Sequence, residues 1–575
     1  MSRILRINCR TKEYTFEESG PYAGLGGRAL TSRVINKEVP ATCHPLSAEN
    51  KLVIATGLMG GSTAANSGRV SVGTKSPLTG GIKESNSGGL FAHKMPKMGL
   101  KAIILEDKPE DGAPFATLFI TENKVEFRDA SDIVGMDNYP AHEKLLAEYG
   151  DKLVAGMIGP AGETLRKTAT IQFTDPYKRP ARSAGRGGVG AVMGSKKIKA
   201  IILDPAINVK VSPVDEGTFK EARSTWASIL RGHPVTSQGL PAYGTNVLVN
   251  IVNEAGAMPT KNFRYGQCEH AAEISGEKIA DLIKARGGKT TEGCHTGCVI
   301  RCSQQYNDAE GNYVTSGFEY ETVWALGANS LIKDIDDIAF MDRICDEKGM
   351  DTIEIGNTVA VAMDGGIIPW GDGKAAIELL QKVGTRDPLG MIIGNGVDFA
   401  GGAFGVDRLP TVKGQSMPAY DPRAVKGVGV TYATTAMGAD HTAGYGVTAN
   451  ILGVGGTVDG HQKEGNVELS KNLQVATAAI DSMGFCLFVA FAVLDSENGV
   501  QTMADLVQSW TGTAFSVDDL VALGAGAMKD EQEFNERAGF SKIDDQLPRF
   551  FETDPLPPHN VVWDYSAEEL QGAKV

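Results

Sequence analysis

The chain has 575 residues, of which 42% are hydrophobic, and a formal net charge of −14. This size is enough for about two to four domains, and the negative charge disfavours binding to nucleic acid or to an anionic membrane surface. The N-terminal sequence MSRILRINCRTKEYTFEE lacks the apolar stretch of a secretory signal, and the longest apolar run, at 484–494, is too short to span a bilayer. We therefore expect a soluble cytoplasmic enzyme.

Two related glycine-rich stretches occur in the first third of the chain. NSGGLFAHKMPKMGLKAIILEDK at 86–108 and GRGGVGAVMGSKKIKAIILDPA at 185–206 both run from Gly-Gly through basic residues to KAIIL. KAIIL, at 101–105 and 199–203, is bounded by charge and turn signals, which predicts a buried strand in each copy. The glycines allow two interpretations: backbone N–H groups that approach an anion closely, or tight turns in duplicated βα units. No Rossmann or P-loop spacing decides between them.

Helical patterns dominate the remainder of the chain. Residues 208–412 include EGTFKEARSTWASIL and SGEKIADLIKARGG, and residues 413–575 include MADLVQSWTG and SVDDLVALGAGAMKDEQEFNERAG. The Gly-Gly pair after the second of these segments is a typical helix stop. The predicted fold class is therefore α+β multidomain: a strand-rich N-terminal domain, 1–207, followed by two mainly helical domains, 208–412 and 413–575.

Three of the eight cysteines lie close together in GCHTGCVIRC, at Cys294, Cys298 and Cys302. Eight cysteines are too few for a disulfide scaffold in a chain of this length, and zinc sites usually take two CxxC pairs, of which there is none here. Three clustered cysteines and one remote cysteine are typical of a cubane iron–sulfur cluster, which needs four thiolates. The alternative is three small core residues on one helical face, because positions i, i+4 and i+8 share a face.

A second repeated motif begins downstream of the cysteines. Asp346-x-x-Gly349-Met350-Asp351 and Asp481-x-x-Gly484-Phe485-Cys486 share the pattern D-x-x-G followed by an apolar residue. A carboxylate can accept two parallel hydrogen bonds from the N–H edge of a pterin or purine. Together with the two glycine-rich stretches, the two D-x-x-G copies suggest that two similar ligands are bound about a pseudo-twofold axis. The alternative for either copy is a helix N-cap or a turn.

At this point the chain resembles the tungsten-containing aldehyde:ferredoxin oxidoreductases along nearly its whole length. The resemblance rests on the order, spacing and content of these landmarks: NSGRVSVGTKSPLTGGIKESNSGG (66–89), IGPAGE (158–163), AGRGGVGAVMGSKKIKAI (184–201), CHTGCVIRC (294–302), EYETVWALG (319–327), DEKGMDTIEIG (346–356), AYDPRAVKGVGVTYAT (419–434) and DSMGFC (481–486).

The resemblance implies three cofactors: tungsten held by two pterins (tungstopterin), one [4Fe–4S] cluster, and a Mg²⁺ ion that bridges the pterin phosphates. The residues alone do not distinguish tungsten from molybdenum. By resemblance, the cluster ligands are Cys294, Cys298, Cys302 and Cys486, and Arg69 lies between cluster and pterin. The backbone carbonyls of Asn86 and Gly187 reach the Mg²⁺. The remaining cofactor-binding positions are Gly88, Arg186, Gly188, Asp346, Asp351 and Asp481.

Three side chains are the candidates for acid–base catalysis. The resemblance implies that His441 is the active-site histidine and that Glu321 is the active-site glutamate, with Glu319 as a second candidate. Oxidation of an aldehyde needs such groups to activate water and to polarise the carbonyl. The alternative for either glutamate is a cap on a helix that begins near Val323. His295, inside the cysteine motif, either donates a hydrogen bond to a cluster sulfur or faces solvent.

One departure from the family concerns an iron at the dimer interface. Some members bind this iron through E-x-x-H just before the first D-x-x-G, and here those positions are Phe340 and Arg343. We therefore expect no such iron, and a homodimer and a hetero-oligomer both remain open.

The resemblance implies oxidation of an aldehyde with water to a carboxylic acid, with electrons passing to a ferredoxin or a ferredoxin-like iron–sulfur subunit. Two alternatives remain. One is the catalytic subunit of a tungsten-dependent aromatic acyl-CoA reductase of the benzoyl-CoA type. The other is an iron–sulfur electron-transfer subunit without the metal-pterin. Neither the aldehyde nor the physiological electron acceptor can be identified from the sequence, because the loops that line a pocket vary most.

Overall fold

A computed structural model describes residues 2–575. Its strands are β1 (Arg3–Asn8), β2 (Tyr14–Glu18), β3 (Leu52–Thr56), β4 (Val70–Lys75), β5 (Ile82–Ser87), β6 (Leu100–Glu106), β7 (Ala116–Ile120), β8 (Val125–Asp129), β9 (Ala155–Met157), β10 (Ile171–Phe173), β11 (Arg182–Ala184), β12 (Ile198–Leu203), β13 (Lys289–Glu292), β14 (Ser303–Asn307), β15 (Tyr313–Ser316), β16 (Thr411–Val412) and β17 (Gln415–Ser416).

The α-helices are α1 (Gly27–Glu38), α2 (Phe91–Lys97), α3 (Asn138–Tyr149), α4 (Pro160–Glu163), α5 (Val189–Ser195), α6 (Glu216–Gly232), α7 (Leu240–Tyr243), α8 (Leu248–Glu254), α9 (Gly276–Ala285), α10 (Tyr320–Leu326), α11 (Ile335–Lys348), α12 (Thr352–Asp364), α13 (Gly373–Gln381), α14 (Pro388–Ile393), α15 (Val397–Phe404), α16 (Lys426–Thr434), α17 (Asn466–Met483), α18 (Val489–Leu494), α19 (Gly499–Thr511), α20 (Val517–Ala538), α21 (Phe550–Thr553) and α22 (Ala567–Leu570).

The N-terminal region contains two six-stranded sheets of the same topology. The first has the strand order β2-β1-β6-β3-β4-β5, and the second, read from its opposite edge, has the order β8-β7-β12-β9-β10-β11. In each sheet the pair β1–β6 or β7–β12 is parallel, whereas the other pairs are antiparallel. Each strand of the second sheet thus takes the place of the strand six positions earlier. The repeat seen in the sequence is a duplicated structural unit.

The KAIIL segments form β6 and β12, and both are buried as predicted. Their positions are equivalent, since each pairs with the parallel strand of its sheet. Apolar side chains of α2 and α5 join the core that the two sheets share. At the edges, β5 and β11 are in contact, so the strands that lead into the two glycine-rich turns lie next to each other.

The predicted helices are confirmed, and local capping explains where they begin. The Asp215 side chain accepts a hydrogen bond from the N–H of Thr218 at the start of α6, and Ser275 does the same for Lys278 at α9. At α20, Ser516 forms a capping box. The predicted class, with strands first and mainly helices afterwards, is therefore correct. No helix among residues 2–575 combines the length and the apolar composition needed to cross a bilayer.

Two local alternatives from the sequence are wrong. Residues 293–302, between β13 and β14, contain no helix, so the three cysteines do not lie on a helical face. The first aspartates of the D-x-x-G motifs are not helix N-caps, because Asp346 and Asp481 lie in the last turns of α11 and α17; each motif instead forms the turn that ends its helix. Gly349 and Gly484 end these helices with φ values of 71° and 85°, a conformation that glycine adopts without a steric cost.

Candidate functional site

A cavity of about 390 Å³ lies where β5 and β11 face the ends of α11 and α17. We call it the central cavity. Side chains from distant parts of the chain line its walls, among them Arg69, Glu84, Glu321, Asp346 and Asp481. Its volume is in the range of sites that hold a small molecule or cofactor. Charged groups are costly to bury without partners, so their concentration here indicates a binding site rather than a packing defect.

Three of the four cysteines of the predicted cluster lie in the wall of the central cavity. Cys294, Cys302 and Cys486 line its wall. The sulfur atoms of Cys294 and Cys298, with a ring nitrogen of His295, lie within 4.8 Å of one another. The structure thus brings residues of the β13–β14 loop next to a residue that follows α17.

Asn66 holds these two segments together. Its side-chain Nδ2 donates to Cys298 Sγ at 3.5 Å, and its Oδ1 accepts a hydrogen bond from the N–H of Val299 at 3.0 Å. Its backbone carbonyl accepts from the N–H of Cys486 at 2.9 Å. Sequence reasoning assigned Asn66 no role, although it begins the NSGR landmark. A φ of 62° at Asn66 aims both its backbone and its side chain at the cysteines.

Arg69 and the NSGG segment connect the cysteines to the cavity. The Arg69 Nη1 atom lies 3.9 Å from Cys294 Sγ, and its Nε donates to Asn86 Oδ1 at 2.5 Å. Gly88 is packed so closely that a Cβ atom there would lie 3.2 Å from Cys294 Sγ and 3.3 Å from Arg69 Nη1. Arg69, Asn86 and Gly88 all line the central cavity.

His295 does not face solvent. Its side chain is buried, and its Nδ1 atom lies 3.2 Å from Cys294 Sγ. A Cβ at Gly68 would lie 2.3 Å from its ring, so glycine is required there for the imidazole to reach the sulfur. Of the two orientations that the sequence left open, the structure has the one directed at the cysteine sulfur.

One end of the cavity holds two acidic side chains that share a buried site. Burial and, second, the nearby charge of Glu84 raise the pKa of Asp481 to about 8. Burial likewise raises the pKa of Glu84, whose Oε1 atom has no hydrogen-bond partner. Arg28 lies 3.4 Å from Asp481 but pairs more closely with Glu531, at 2.8 Å. Acceptor atoms are therefore left free at this end of the cavity.

The other end repeats this arrangement with Asp346 and Asp342. Burial, followed by the charge of Asp342, raises the pKa of Asp346 well above its usual range. Burial also raises the pKa of Asp342 to about 7. Asp346 accepts from Gln172 Nε2 at only 3.3 Å and from Tyr139 at 3.5 Å. Sequence reasoning found Asp346 and Asp481 but missed Asp342 and Glu84. Asp342 lies one helical turn before Asp346, which is a detectable signal, whereas Glu84 belongs to another part of the chain.

Arg186 and Asp351 form an ion pair next to these groups. The Arg186 Nε atom lies 3.0 Å from Asp351 Oδ2, and its two Nη atoms each donate to a backbone carbonyl at 2.9 Å. Asp351 also caps α12 through the N–H of Ile353. Gly187 and Gly188 follow with φ values of 85° and 77°, and the carbonyl of Gly187 accepts from Ser76 Oγ at 2.7 Å.

Two of the three acid–base candidates lie together in the cavity wall. Nε2 of His441 is 3.3 Å from Oε1 of Glu321, and Oε2 of Glu321 accepts from the N–H of Ala419 at 3.0 Å. Burial raises the pKa of Glu321 to about 8 and lowers the pKa of His441 to about 4. Nδ1 of His441 and Oε1 of Glu321 are both buried without a hydrogen-bond partner, so the two side chains are close but not hydrogen-bonded. Both groups are therefore uncharged at neutral pH and can exchange a proton.

Glu319 lies on a different side of the same cavity. It occupies the N-cap position of α10, which begins at Tyr320 rather than near Val323, but its side chain makes no capping hydrogen bond. Instead, its Oε2 accepts from Thr245 Oγ1 at 2.6 Å. Burial raises the pKa of Glu319 to about 7. Glu319 does not contact His441, so the structure pairs the histidine with Glu321.

A smaller apolar pocket of about 80 Å³ adjoins the central cavity. The two share Tyr445, Leu487 and Phe488 in their walls. Most of its remaining wall comes from α17, α18 and α19 and includes Ala490 and Phe491. Because the rings of Tyr445 and His441 are 6.1 Å apart, the apolar pocket opens near the acid–base pair.

Comparison with known proteins identifies the family. The N-terminal domain of aldehyde ferredoxin oxidoreductase matches residues 4–205, and domains 2 and 3 of the same family match residues 221–570. The chain belongs to the aldehyde ferredoxin oxidoreductase family. The tungsten-containing aldehyde ferredoxin oxidoreductase of Pyrococcus furiosus is 37% identical over 96% of this chain and 92% of its own length. That of Thermococcus kodakarensis is 36% identical over the same shares.

More distant relatives share the fold. A Pyrococcus furiosus protein named aliphatic sulfonate oxidoreductase, WOR-like subunit, is 25% identical over 76% of this chain and 73% of its own length. The solved BamBC active-site complex of benzoyl coenzyme A reductase superposes with a TM-score of 0.80, at 18% identity, covering all of this chain and 93% of that one. At this identity the second likeness concerns the fold alone.

The residues of this aldehyde ferredoxin oxidoreductase family member fit the cofactors that the family implies. Two pairs of buried carboxyls, Asp481 with Glu84 and Asp346 with Asp342, suit the N–H edges of two pterins, and Oε1 of Glu84 has no hydrogen-bond partner in the protein. The cysteine group suits an iron–sulfur cluster, because soft thiolates surround one end of the cavity. Phe340 and Arg343 occupy the positions of the E-x-x-H motif that binds the interface iron in some members of the family. Phe340 is 43% exposed, and the Arg343 guanidinium lies 3.4 Å from the ring centre of Tyr139.

Proposed function

We propose that this protein oxidises aldehydes with water to carboxylic acids and passes the electrons through a [4Fe–4S] cluster to a ferredoxin-like acceptor. The reaction is RCHO + H₂O → RCOO⁻ + 3 H⁺ + 2 e⁻, so the protein must deliver two electrons and release three protons. The observation that carries the proposal is the neutral His441–Glu321 pair in the wall of a cavity that also holds the cysteine group. The relatives named above act on aldehydes and ferredoxin by their names.

The residues at the two ends of the cavity would hold the cofactor. Asp481 with Glu84, and Asp346 with Asp342, would each bind the N–H edge of one pterin. The carbonyls of Asn86 and Gly187 would help to hold a Mg²⁺ ion. When bound, tungstopterin would supply the two-electron chemistry. The protein then has to orient the aldehyde, exclude water and move protons.

Glu321 and His441 would perform the proton transfers. Because Oε2 of Glu321 accepts the N–H of Ala419, Oε1 would carry the carboxyl proton; it lies 3.3 Å from Nε2 of His441 and makes no hydrogen bond within the protein. A neutral imidazole that accepts at Nε2 carries its hydrogen on Nδ1, the atom without a protein partner. Nδ1–H would donate to the aldehyde oxygen and polarise the carbonyl. Glu321 would then resupply or accept the proton through Nε2.

The apolar pocket supports an aldehyde with a hydrocarbon substituent. Its wall around Ala490 and Phe491 offers apolar contacts beside the proton-transfer pair. Contacts of this kind favour a hydrocarbon group over a charged one, because burial of a charge without a partner is costly.

A substrate panel on the anaerobically purified protein tests the proposal. Aldehydes of different chain length and benzoyl-CoA are compared by the reduction or oxidation of benzyl viologen, with tungsten, iron and pterin measured in the same sample. We expect tungsten, pterin, iron and aldehyde-dependent dye reduction. Turnover of benzoyl-CoA without aldehyde oxidation, or a protein with iron and no pterin, would contradict the proposal and support one of the two alternatives.

A further inference from the structure

Only one of the four cysteines faces away from the central cavity. Cys294, Cys302 and Cys486 line the cavity, whereas Cys298 does not, and Cys298 is partly exposed to solvent. A cluster held by these residues has its cavity side at Cys294 and Cys486 and its outer side at Cys298. Electron transfer depends steeply on distance, so the surface beside Cys298 is where an electron would leave the protein.

The loop on both sides of Cys298 is exposed to solvent. Thr296 and Gly297 are exposed, as is Arg301, whose backbone N–H donates to Cys298 Sγ at 3.3 Å. The Arg301 guanidinium donates to the carbonyl of Thr291 at 3.2 Å, which holds it against the loop. The carbonyl of Gly297 accepts from the N–H of Asn66 at 3.2 Å, which joins the loop to residues 63–66.

Two further basic residues, both half-buried, lie near the same loop. Nη1 of Arg223, on α6, donates to Thr63 Oγ1 at 2.8 Å, next to the segment that contacts Gly297. Lys97 lies one turn beyond His93 on α2, and Nε2 of His93 is 2.9 Å from the carbonyl of Thr296. We call the surface of Lys97, Arg223, Thr296, Gly297 and Arg301 the exit face.

The exit face is locally positive on a negative protein. Within residues 2–575, none of Lys97, Arg223 and Arg301 has a carboxylate oxygen within 4.0 Å, although the chain as a whole carries a net charge of −14. Glu292 is the one acidic residue between 289 and 302. It is buried and pairs with Arg179, so its charge is not presented on the surface.

We propose that the exit face is the docking site of a small acidic iron–sulfur protein that takes electrons from the cluster. This inference rests on the proposed function, because it assumes that a cluster at the four cysteines carries the electrons of the reaction. A cationic patch on an anionic protein attracts an acidic partner to one place and repels it elsewhere, which raises the association rate and fixes the orientation. The attraction is screened by salt over about 10 Å at 0.1 M.

Charge reversal on the exit face tests the proposal in two independent measurements. The variants are Arg301→Glu and the double variant Lys97→Glu/Arg223→Glu. The matched control is Arg386→Glu, an exposed arginine between α13 and α14, which carry no cluster cysteine. The first measurement is the Kd of an oxidised, acidic [4Fe–4S] ferredoxin for each holoenzyme by calorimetry, at about 10 mM and about 300 mM salt. It needs no substrate.

The second measurement is aldehyde oxidation with the ferredoxin or with benzyl viologen as the acceptor. We expect the exit-face variants to bind ferredoxin at least about 10-fold more weakly than the wild type at low salt. Their Kd should also depend much less on the salt concentration. The double variant should keep the wild-type rate with viologen, and Arg386→Glu should match the wild type in both assays. The iron content of Arg301→Glu establishes that its cluster is intact.

The outcomes separate this inference from the proposed function. If no aldehyde is oxidised with viologen, the proposed function fails, while the binding data still decide the docking site. If ferredoxin binds the exit-face variants with the Kd and salt dependence of Arg386→Glu, the docking site lies elsewhere. Equal ferredoxin-linked rates in all variants at low salt would overturn the inference in the same way.

Discussion

Nε2 of His441 and Oε1 of Glu321 lie 3.3 Å apart in the wall of the central cavity, although 120 residues separate them in the chain. Burial shifts their pKa values in opposite directions, to about 4 for the histidine and about 8 for the glutamate. Both shifts favour the uncharged form, so between about pH 4 and pH 8 the carboxyl of Glu321 holds a proton that it can transfer to the neutral imidazole of His441. This arrangement suits a site that must move protons without fixing a charge beside the substrate.

Removal of either member should reduce turnover while leaving the cofactors in place. His441→Ala and Glu321→Gln should each lower kcat for aldehyde oxidation by about 10² to 10⁴-fold, the usual contribution of general acid–base catalysis. His461→Ala and Glu143→Gln are matched controls, because neither residue lines the cavity. Rates are measured with viologen, together with tungsten and iron content. Near-normal rates in both active-site variants with full cofactor would show that other groups move the protons.

The activity of the wild type should depend on pH through the same pair. Glu321 holds its proton below about 8, and His441 is neutral above about 4, so the rate should fall as the pH rises through the first value or falls through the second. The apparent values belong to the pair as a unit. Glu321→Gln cannot ionise and should lack the alkaline fall in its residual rate. The same alkaline limb in this variant would assign it to another group.

Cys486 should be required for the cluster. Cys486→Ala removes the cysteine that is remote in sequence from the other three, so the cluster should be lost or reduced to a three-iron form. Electron paramagnetic resonance and iron analysis measure this directly. Cys268→Ala is the control, since Cys268 is buried but does not line the cavity. A four-iron signal of normal intensity in Cys486→Ala would require a different fourth ligand.

Glu84 and Asp342 should be more important for cofactor retention than for the fold. Each is one of two neighbouring buried carboxyls, and the raised pKa of Asp481, about 8, reflects burial first and the charge of Glu84 second. Glu84→Ala should therefore lower pterin content but raise the Tm of the cofactor-free protein. This gain in Tm should grow as the pH rises from the usual carboxyl pKa to about 8. Over that range Asp481 loses its proton in the unfolded chain but keeps it in the folded wild type, which destabilises the wild type.

Asp342→Ala should behave in the same way at the other end of the cavity, and Glu143→Ala, at an exposed position, is a control for both. Pterin fluorescence after oxidation and thermal unfolding of the cofactor-free protein are measured side by side. Normal pterin content in both variants, or a lower Tm at alkaline pH, would contradict a role in cofactor binding.

Filling the apolar pocket should change the preference for aldehyde chain length. Ala490 lines this pocket of about 80 Å³, and Ala490→Phe would occupy most of its volume. We expect KM to rise about 10-fold for long-chain aldehydes and to change little for acetaldehyde, because each buried methylene contributes about 1–3 kcal/mol of discrimination. Ala227→Phe, on α6 outside the pocket, is the control. An equal effect on short and long aldehydes would indicate that the pocket does not bind the substrate.

The sequence by itself determined the elements whose signals are local. The KAIIL strands follow from β-branched runs between turn signals, and α6, α9 and α20 follow from their helical patterns, with a Gly-Gly stop after α9. The ends of α11 and α17 at Gly349 and Gly484 were not predicted. The repeat of glycine-rich turn and strand also indicated a duplication, which the two sheets of identical topology contain. Family resemblance added Arg69, His441, Glu321 and Cys486, which spacing could not select alone.

Only the tertiary structure decided which side chains act together. Glu84 adjoins Asp481 and Asn66 joins Cys298 to Cys486 because distant segments pack against each other, and no local pattern encodes such pairings. The pKa shifts of Glu321 and His441 likewise require burial, which depends on everything that surrounds the cavity. The sequence also treated Cys294, Cys298 and Cys302 alike. In the structure, Cys294 and Cys302 line the cavity and Cys298 does not. The loop has no regular secondary structure, so its tertiary contacts set the orientation of each cysteine.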